Sequence, residues 1–161
     1  MIVVVMGVAG SGKTTVGHLL AEAIEARFVD ADAFHSAASV EKMRRGVPLD
    51  DEDRRPWIEA LAGAIDGWLR EGATVVLACS ALKASYRRAL LRDPARLRLV
   101  HLRGDPALLR ERLARREGHF ATAELLDSQL AALEPSEDAI EVDIAAPPEA
   151  LVEAIRAALR R

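Results

Sequence analysis

The sequence contains few of the residues that mark several classes of protein. Cys79 is the only cysteine among 161 residues, so no disulfide can form within the chain and a reducing compartment is expected. This thiol lies in the apolar run 73–82, which favours a buried, unreactive side chain. The net charge is −3, and without an excess of positive charge a nucleic-acid partner is disfavoured.

Long apolar runs are also missing. The first run, MIVVVM, ends after six residues, far short of the roughly 18 apolar residues of a membrane span. No basic segment of the kind found in secretion signals precedes it. We therefore expect no membrane association and a cytoplasmic protein. A composition of 50% hydrophobic and 29% charged residues is typical of a globular chain, and the length predicts a single domain over residues 1–161.

The strongest motif is a glycine-rich segment directly after the first apolar run. Residues 7–14, GVAGSGKT, match G-x-x-x-x-G-K-[ST], with a predicted strand before them and a predicted helix after them. Glycines let backbone N–H groups turn toward phosphate oxygens, Lys13 reaches the β- and γ-phosphates, and Thr14 places its hydroxyl on Mg²⁺. The helix N-terminus favours an anion at the same place. The predicted phosphate-binding residues are Gly7, Val8, Ala9, Gly10, Ser11, Gly12, Lys13, Thr14 and Thr15.

Apolar segments alternate with helical patterns along the rest of the chain. The predicted strands cover residues 2–6, a short segment from 27, and residues 73–79, 97–102 and 140–144. The first helix is predicted to run to about Ala26. Continuous β-branched runs are typical of parallel strands covered on both faces. The pattern therefore predicts an α/β fold, with a five-stranded parallel sheet flanked by helices.

Two carboxylates and an imidazole follow the second predicted strand. In an open α/β sheet ligands bind beyond the carboxyl ends of the strands, so Asp30, Asp32 and His35 are expected at the same edge as the glycine-rich segment. Residues two apart in an extended segment point to one side. One of the two carboxylates can hold Mg²⁺, directly or through water, and the other can accept the proton of a hydroxyl. The alternative is that these aspartates only end the strand and cap the following turn.

Cations recur near the same predicted edge. Arg54 lies in the first turn of a helix that begins with acidic residues 50–53, where a cation opposes the helix dipole and calls for another anionic partner. Lys83, Tyr86 and Arg87 follow the third strand at helical spacing, close enough to present two cations and a phenol together. A solvated helix face is the alternative for these charges.

A later arginine-rich helix ends at a glycine. Arg112 and Arg116 precede Gly118 and His119, as expected of a lid that brings positive charge onto a transferring phosphoryl group. The predicted lid covers residues from about 112 to 123.

Taken together and in this order, these segments resemble those of the gluconokinases, a family of small phosphate-loop kinases. The resemblance rests on MGVAGSGKT, FVDADAFH, PLDDEDRRPW, CSALKASYR, RREGHF and LLDSQLAALE. It implies transfer of the γ-phosphoryl group of ATP to the 6-hydroxyl of D-gluconate, with Mg²⁺. It also implies a nucleoside-monophosphate-kinase-like fold of the P-loop NTPases, a helical lid and, commonly in the family, a homodimer.

The resemblance gives each candidate residue a role. The expected catalytic residues are Lys13, Asp32, Arg112 and Arg116. The expected substrate-binding residues are Asp32, His35, Arg54, Lys83, Arg87 and His119. Thr14 and Asp30 are expected to serve the metal. Ala31 and Ser36 stand where the family usually has glycine and often has proline, so the substrate loop departs from the family pattern.

Three alternatives stay open at this stage. Shikimate kinase, or another small-molecule kinase of the same fold, is the first, because shikimate kinase also carries D-x-D after its second strand. A nucleoside monophosphate kinase is the second. The third is a regulatory module that binds ATP as a switch and transfers nothing.

Overall fold

A parallel sheet of five strands forms the centre of the computed structural model, which describes residues 1–115 and 123–161. The strands are β1 (Ile2–Met6), β2 (Arg27–Asp30), β3 (Val75–Ala78), β4 (Leu97–Arg103) and β5 (Ile140–Asp143). Their order is β2-β3-β1-β4-β5, and every neighbouring pair is parallel. All residues of the central strand β1 are buried, which explains its unbroken apolar sequence. The predicted α/β fold is confirmed.

Helices cover both faces of the sheet. They are α1 (Lys13–Ala23), α2 (Ala37–Arg44), α3 (Asp51–Glu71), α4 (Ala84–Leu90), α5 (Pro106–Ala114), α6 (Ala123–Ala132) and α7 (Pro148–Leu159). Because side chains alternate along a strand, β1 contributes to two cores. Val3 and Val5 pack with residues of α1, α5, α6 and α7, whereas Ile2, Val4 and Met6 pack with residues of α3. No helix in the described ranges is both long and apolar enough to cross a membrane.

Several predicted boundaries differ from the structure: the third strand covers Val75–Ala78 rather than 73–79, and the first helix and the second strand differ more. The first helix ends at Ala23 rather than near Ala26, because Glu25 adopts a left-handed φ of 54° and the Ala26 N–H donates to the Ala21 carbonyl at 2.7 Å. The second strand ends at Asp30, and the chain continues in a 3-10 turn, Ala31–Phe34. Asp32 therefore lies in a turn and not on an extended segment, so strand alternation does not determine where its side chain points.

The strand register brings the candidate residues to one edge. Asp30 pairs with Ala78 of β3, and Ala78 pairs with Val5 of β1. Asp30 therefore lies level, across the sheet, with Val5, which is two residues before Gly7. The carboxyl ends of β1, β2 and β3 deliver the glycine-rich loop, the acidic turn and residues 79–83 to the same side of the molecule.

Candidate active site

The glycine-rich loop has the conformation and the uncapped amides of an anion site. Gly10 and Gly12 have left-handed φ values of 83° and 90°, which favour glycine. Gly12 is the N-cap of α1 and offers no side-chain hydrogen bond to the first turn. The Ser11 hydroxyl is buried, and among the described residues its oxygen has no hydrogen-bond partner. Since a buried hydroxyl normally has a partner, this loop fits a ligand that brings oxygen acceptors.

The Lys13 ammonium lies over the first half of this loop. It donates to the carbonyl oxygens of Gly7 at 2.9 Å and Val8 at 3.2 Å. A primary amine at this position can reach the β- and γ-phosphates of a bound nucleotide. The loop and Lys13 together can bind a triphosphate.

The acidic turn beside the loop is held by its own hydrogen bonds. Asp30 accepts from the Asp32 N–H at 2.9 Å through Oδ1, so it does cap the turn, as the alternative interpretation predicted. The Trp57 indole N–H donates to the Ala31 carbonyl at 2.7 Å and fixes the turn from α3. The His35 ring stacks on Trp57 with centroids 4.5 Å apart and an angle of 11°. Trp57 is therefore a positioning residue that the sequence analysis missed.

The charges of this turn act on one another. Partial desolvation and the neighbouring Asp30 carboxylate raise the pKa of Asp32, although His35 and Lys13 act in the opposite direction. The Asp32 side chain is nevertheless exposed to solvent, so nearby protein atoms remove only part of its hydration. A raised pKa makes this carboxylate a stronger base than an ordinary aspartate.

The surroundings of His35 disfavour a positive charge on its ring. Burial lowers the pKa of His35, and Arg54 lowers it further, against the opposing charge of Asp32. Its Nδ1 is buried and has no hydrogen-bond partner among the described residues. An imidazole with an unsatisfied buried nitrogen beside a carboxylate can bind a hydroxyl-rich ligand.

A cluster of Asp51, Arg54, Lys83 and Tyr86 lies between α3 and α4. Lys83 donates to Asp51 Oδ1 at 2.7 Å, and the Tyr86 hydroxyl donates to the same oxygen. Arg54 lies 3.8 Å from that oxygen and 3.3 Å from the Tyr86 hydroxyl. The structure thus brings the predicted residues Arg54 and Lys83 together. The side chain of Asp51 is 69% exposed, whereas those of Lys83 and Arg54 are 31% and 32% exposed.

Asp51 was missed because its segment fits a simpler role. The sequence predicts an acidic helix start over residues 50–53, and Asp50 and Asp53 do form a capping box there. Asp53 also pairs with Lys42 at 2.9 Å. Asp51 instead accepts from Lys83 and Tyr86, and no local pattern separates it from its neighbours.

Arg87 lies apart from this cluster, contrary to the prediction that it joins Lys83 in substrate binding. It is 5% exposed, and its guanidinium donates to four backbone carbonyls, those of Ala81, Leu82, Glu134 and Pro135, at 2.8–3.0 Å. These bonds leave the guanidinium facing backbone rather than the site. We therefore assign Arg87 to holding residues 81–82 against residues 134–135.

Replacing Arg87 with methionine is expected to destabilise the fold. The variant removes four hydrogen bonds to backbone carbonyls, two of them buried and two partly buried, and we expect a loss of about 2–4 kcal/mol in the free energy of unfolding, measured by urea titration. Arg88→Met is the matched control, because Arg88 is exposed on the same helix and should change that quantity by less than about 0.5 kcal/mol. Equal stabilities for the two variants would contradict the structural role.

The predicted lid is described only at its start. Arg112, near the end of α5, donates to the Ile144 carbonyl at 2.7 Å. Arg116 and His119 lie outside the described residues. Their roles, and that of Arg112 toward a nucleotide, stay predictions.

A metal at this edge would depend on the nucleotide for most of its ligands. Within the described ranges there is no group of three or more His, Cys, Asp or Glu side chains that could hold a metal ion. Mg²⁺ in kinases typically takes only one or two protein ligands in addition to phosphates and water. Thr14 and Asp30, which the register places at the same edge, fit that smaller role.

The fold and site define a small phosphate-loop kinase. A family model described as "AAA domain" matches residues 2–136. A gluconokinase from Gluconobacter oxydans (strain 621H) is 49% identical over 140 residues, covering 84% of this chain and 76% of that protein. The crystal structure of a gluconokinase from Sinorhizobium meliloti 1021 has a TM-score of 0.88 at 41% identity, covering 99% of this chain and 91% of the other. The chain belongs to the gluconokinase family.

The likeness to shikimate kinase concerns the fold alone. A shikimate kinase from Aquifex aeolicus vf5 has a TM-score of 0.63 at 22% identity, covering 99% of this chain and 96% of the other. That similarity shows a shared fold, and it does not favour shikimate as the acceptor.

Proposed function

We propose that this protein transfers the γ-phosphoryl group of ATP to the 6-hydroxyl of D-gluconate, giving 6-phospho-D-gluconate and ADP. One observation carries the proposal: the phosphate loop, the turn that contains Asp32 and the cationic cluster of Arg54 and Lys83 lie at the same edge of the sheet. Phosphate binding, proton acceptance and anion recognition thus adjoin one another. A sugar acid that offers a hydroxyl at one end and a carboxylate at the other suits this order.

On the nucleotide side, Lys13 and the loop amides other than that of Ala9, whose N–H donates to Gln129, bind the β- and γ-phosphates. Phosphoryl transfer passes through a loose transition state, so the protein contributes positioning and charge stabilisation rather than covalent chemistry. Thr14 and Asp30 would hold Mg²⁺, which when bound offsets the negative charge of the phosphates. Arg112 and Arg116 would add positive charge from a lid over residues 112–123.

On the acceptor side, Asp32 orients the 6-hydroxyl and takes its proton as the phosphoryl group arrives. His35, stacked on Trp57, binds hydroxyls of the sugar chain, and His119 would join it from the lid. Arg54 and Lys83 bind the carboxylate, with the Tyr86 hydroxyl beside them. The chain would act as one domain over residues 1–161, in the cytoplasm and as a homodimer.

A coupled assay of ADP release tests the proposal directly. The wild-type protein is supplied with ATP, Mg²⁺ and, in separate reactions, D-gluconate, shikimate or AMP, with a reaction lacking any acceptor as the control. We expect ADP release with gluconate only. Turnover with shikimate or AMP instead would assign the protein to another kinase of the same fold, and ATP binding without turnover on any acceptor would favour a switch module.

Replacing Lys83 with methionine should separate acceptor binding from nucleotide binding. Because the ammonium is assigned to the gluconate carboxylate, its loss should raise the KM for gluconate roughly tenfold, the range of a hydrogen bond to a charged group. The KM for ATP should stay within about twofold. Lys42→Met is the matched control, since Lys42 pairs with Asp53 and should leave both constants unchanged. An unchanged gluconate KM in Lys83→Met would remove Lys83 from the site.

A further inference from the structure

One hydrogen bond joins the phosphate loop to a helix 120 residues further along the chain. The Ala9 N–H donates to the side-chain oxygen Oε1 of Gln129 in α6 at 2.6 Å, in a partly buried position. A backbone N–H can only donate, so the atom of the Gln129 amide that faces it must be the oxygen. The orientation of the amide is therefore determined by chemistry.

Gln129 lies on α6, a helix that packs against the core of the protein. Leu126, one turn earlier on the same face, is fully buried in the core. Just beyond the helix, Glu134 donates its N–H to the Leu82 carbonyl at 2.9 Å and accepts from the Ala84 N–H at 3.1 Å. Contacts on both sides of Gln129 therefore fix α6 in place, and its side chain is held against the loop.

The contact lies at the start of the loop, beside the carbonyls that the Lys13 ammonium contacts. The Lys13 ammonium, which reaches β- and γ-phosphates in loops of this kind, lies on the carbonyls of Gly7 and Val8, the two residues before Ala9. The Gln129 NH₂ group shares a carbon atom with the oxygen that binds Ala9. It therefore brings two further N–H donors to that end of the loop.

We propose that Gln129 is a binding residue for the terminal phosphate of ATP. Its oxygen holds Ala9 in place, and its NH₂ group donates to the γ-phosphate, which ADP lacks. The residue thereby links the helix that follows the predicted lid to the presence of the triphosphate. The inference rests on the proposed function only in requiring that this loop binds ATP, and it does not depend on the identity of the acceptor.

Gln129→Glu distinguishes this role from that of a simple acceptor for Ala9. Glutamate keeps an oxygen for the Ala9 N–H but loses the NH₂ donors and places a negative charge near the γ-phosphate. By calorimetric titration we expect the affinity for a non-hydrolysable ATP analogue to fall about tenfold or more, and that for ADP to change by less than about threefold. Ala131→Glu is the matched control, because it adds the same charge to an exposed position of α6 and should change neither affinity.

Other results would overturn the proposal. Wild-type affinity of Gln129→Glu for the analogue would leave Gln129 as a structural acceptor only, and equal losses for the analogue and ADP would place it away from the γ-phosphate. If the glutamate variant does not fold, Gln129→Met, which keeps the side-chain length without a charge, replaces it. We expect the same larger loss of affinity for the analogue than for ADP. Failure of the wild-type protein to bind either nucleotide would instead refute the proposed function itself.

Discussion

Turnover is expected to fall by roughly 10²- to 10³-fold when Lys13 is replaced by alanine, the usual effect of removing one preorganised charge from a transferring group. The ammonium lies on the carbonyls of Gly7 and Val8, where it can reach the phosphates without moving the loop. The substitution removes charge from the side that faces the nucleotide. The sheet and the core do not depend on this side chain, so the fold should persist.

The test of Lys13→Ala needs both a rate and a check of folding. The rate is ADP release with saturating gluconate and ATP, and circular dichroism with a thermal melt checks the fold. Lys42→Ala serves as the matched control, because it removes a lysine that pairs with Asp53 outside the loop. A folded Lys13→Ala protein with turnover within threefold of wild type would refute the assignment of Lys13.

Asp32→Asn is expected to lower gluconate turnover by about 10²-fold or more, the range of a positioned general base, while ATP binds nearly as well as in the wild type. Asparagine keeps the shape and loses the charge that accepts the proton. The comparison variant is Asp30→Asn, which should instead raise the Mg²⁺ concentration needed for half-maximal rate. If Asp32→Asn keeps full turnover while ATP affinity collapses, the two roles are reversed.

The raised pKa of Asp32 predicts a second effect of the same variant, on the melting temperature. The folded state favours the protonated carboxyl, so ionisation of Asp32 destabilises the fold as the pH rises through its folded-state pKa, above the ordinary value of 3.8. Asparagine mimics the protonated form and does not ionise. Asp32→Asn should therefore melt at a higher temperature than the wild type at pH 7, and the difference should disappear as the pH falls below 3.8. A lower melting temperature at pH 7 would contradict this.

The sheet and the phosphate loop could be predicted because their signals are local. Five apolar residues in a row at Ile2–Met6 predict a central strand, and all five are buried. The glycines that follow adopt the left-handed angles that the motif requires. Asp105 at the start of α5 likewise caps the helix through the Ala107 N–H at 2.8 Å, with Pro106 in its first turn. In each case neighbouring residues are enough to determine the structure.

The sequence predicts only part of the acceptor side of the site, because the rest depends on contacts between distant residues. Asp32 leaves the strand because Trp57, on another element, fixes the turn through the Ala31 carbonyl. Arg87 has the spacing of a surface cation but bonds to backbone 47 and 48 residues away. Gln129 meets Ala9 only in the folded chain. Spacing along one segment cannot tell a ligand-binding cation from a structural one when the deciding partner lies elsewhere.

The single cysteine also determines how this protein can be labelled. Cys79 is 2% exposed at the end of β3, and burial raises the pKa of its thiol to about 12. At neutral pH the thiol is therefore both protonated and buried, so it does not add to maleimide reagents, which react with an accessible thiolate. A cysteine introduced at an exposed position such as Glu124, in the first turn of α6, would carry a fluorophore or spin label at one defined point. The wild-type chain can thus serve as the background for spectroscopy of the segment that precedes α6, with no native cysteine to remove first.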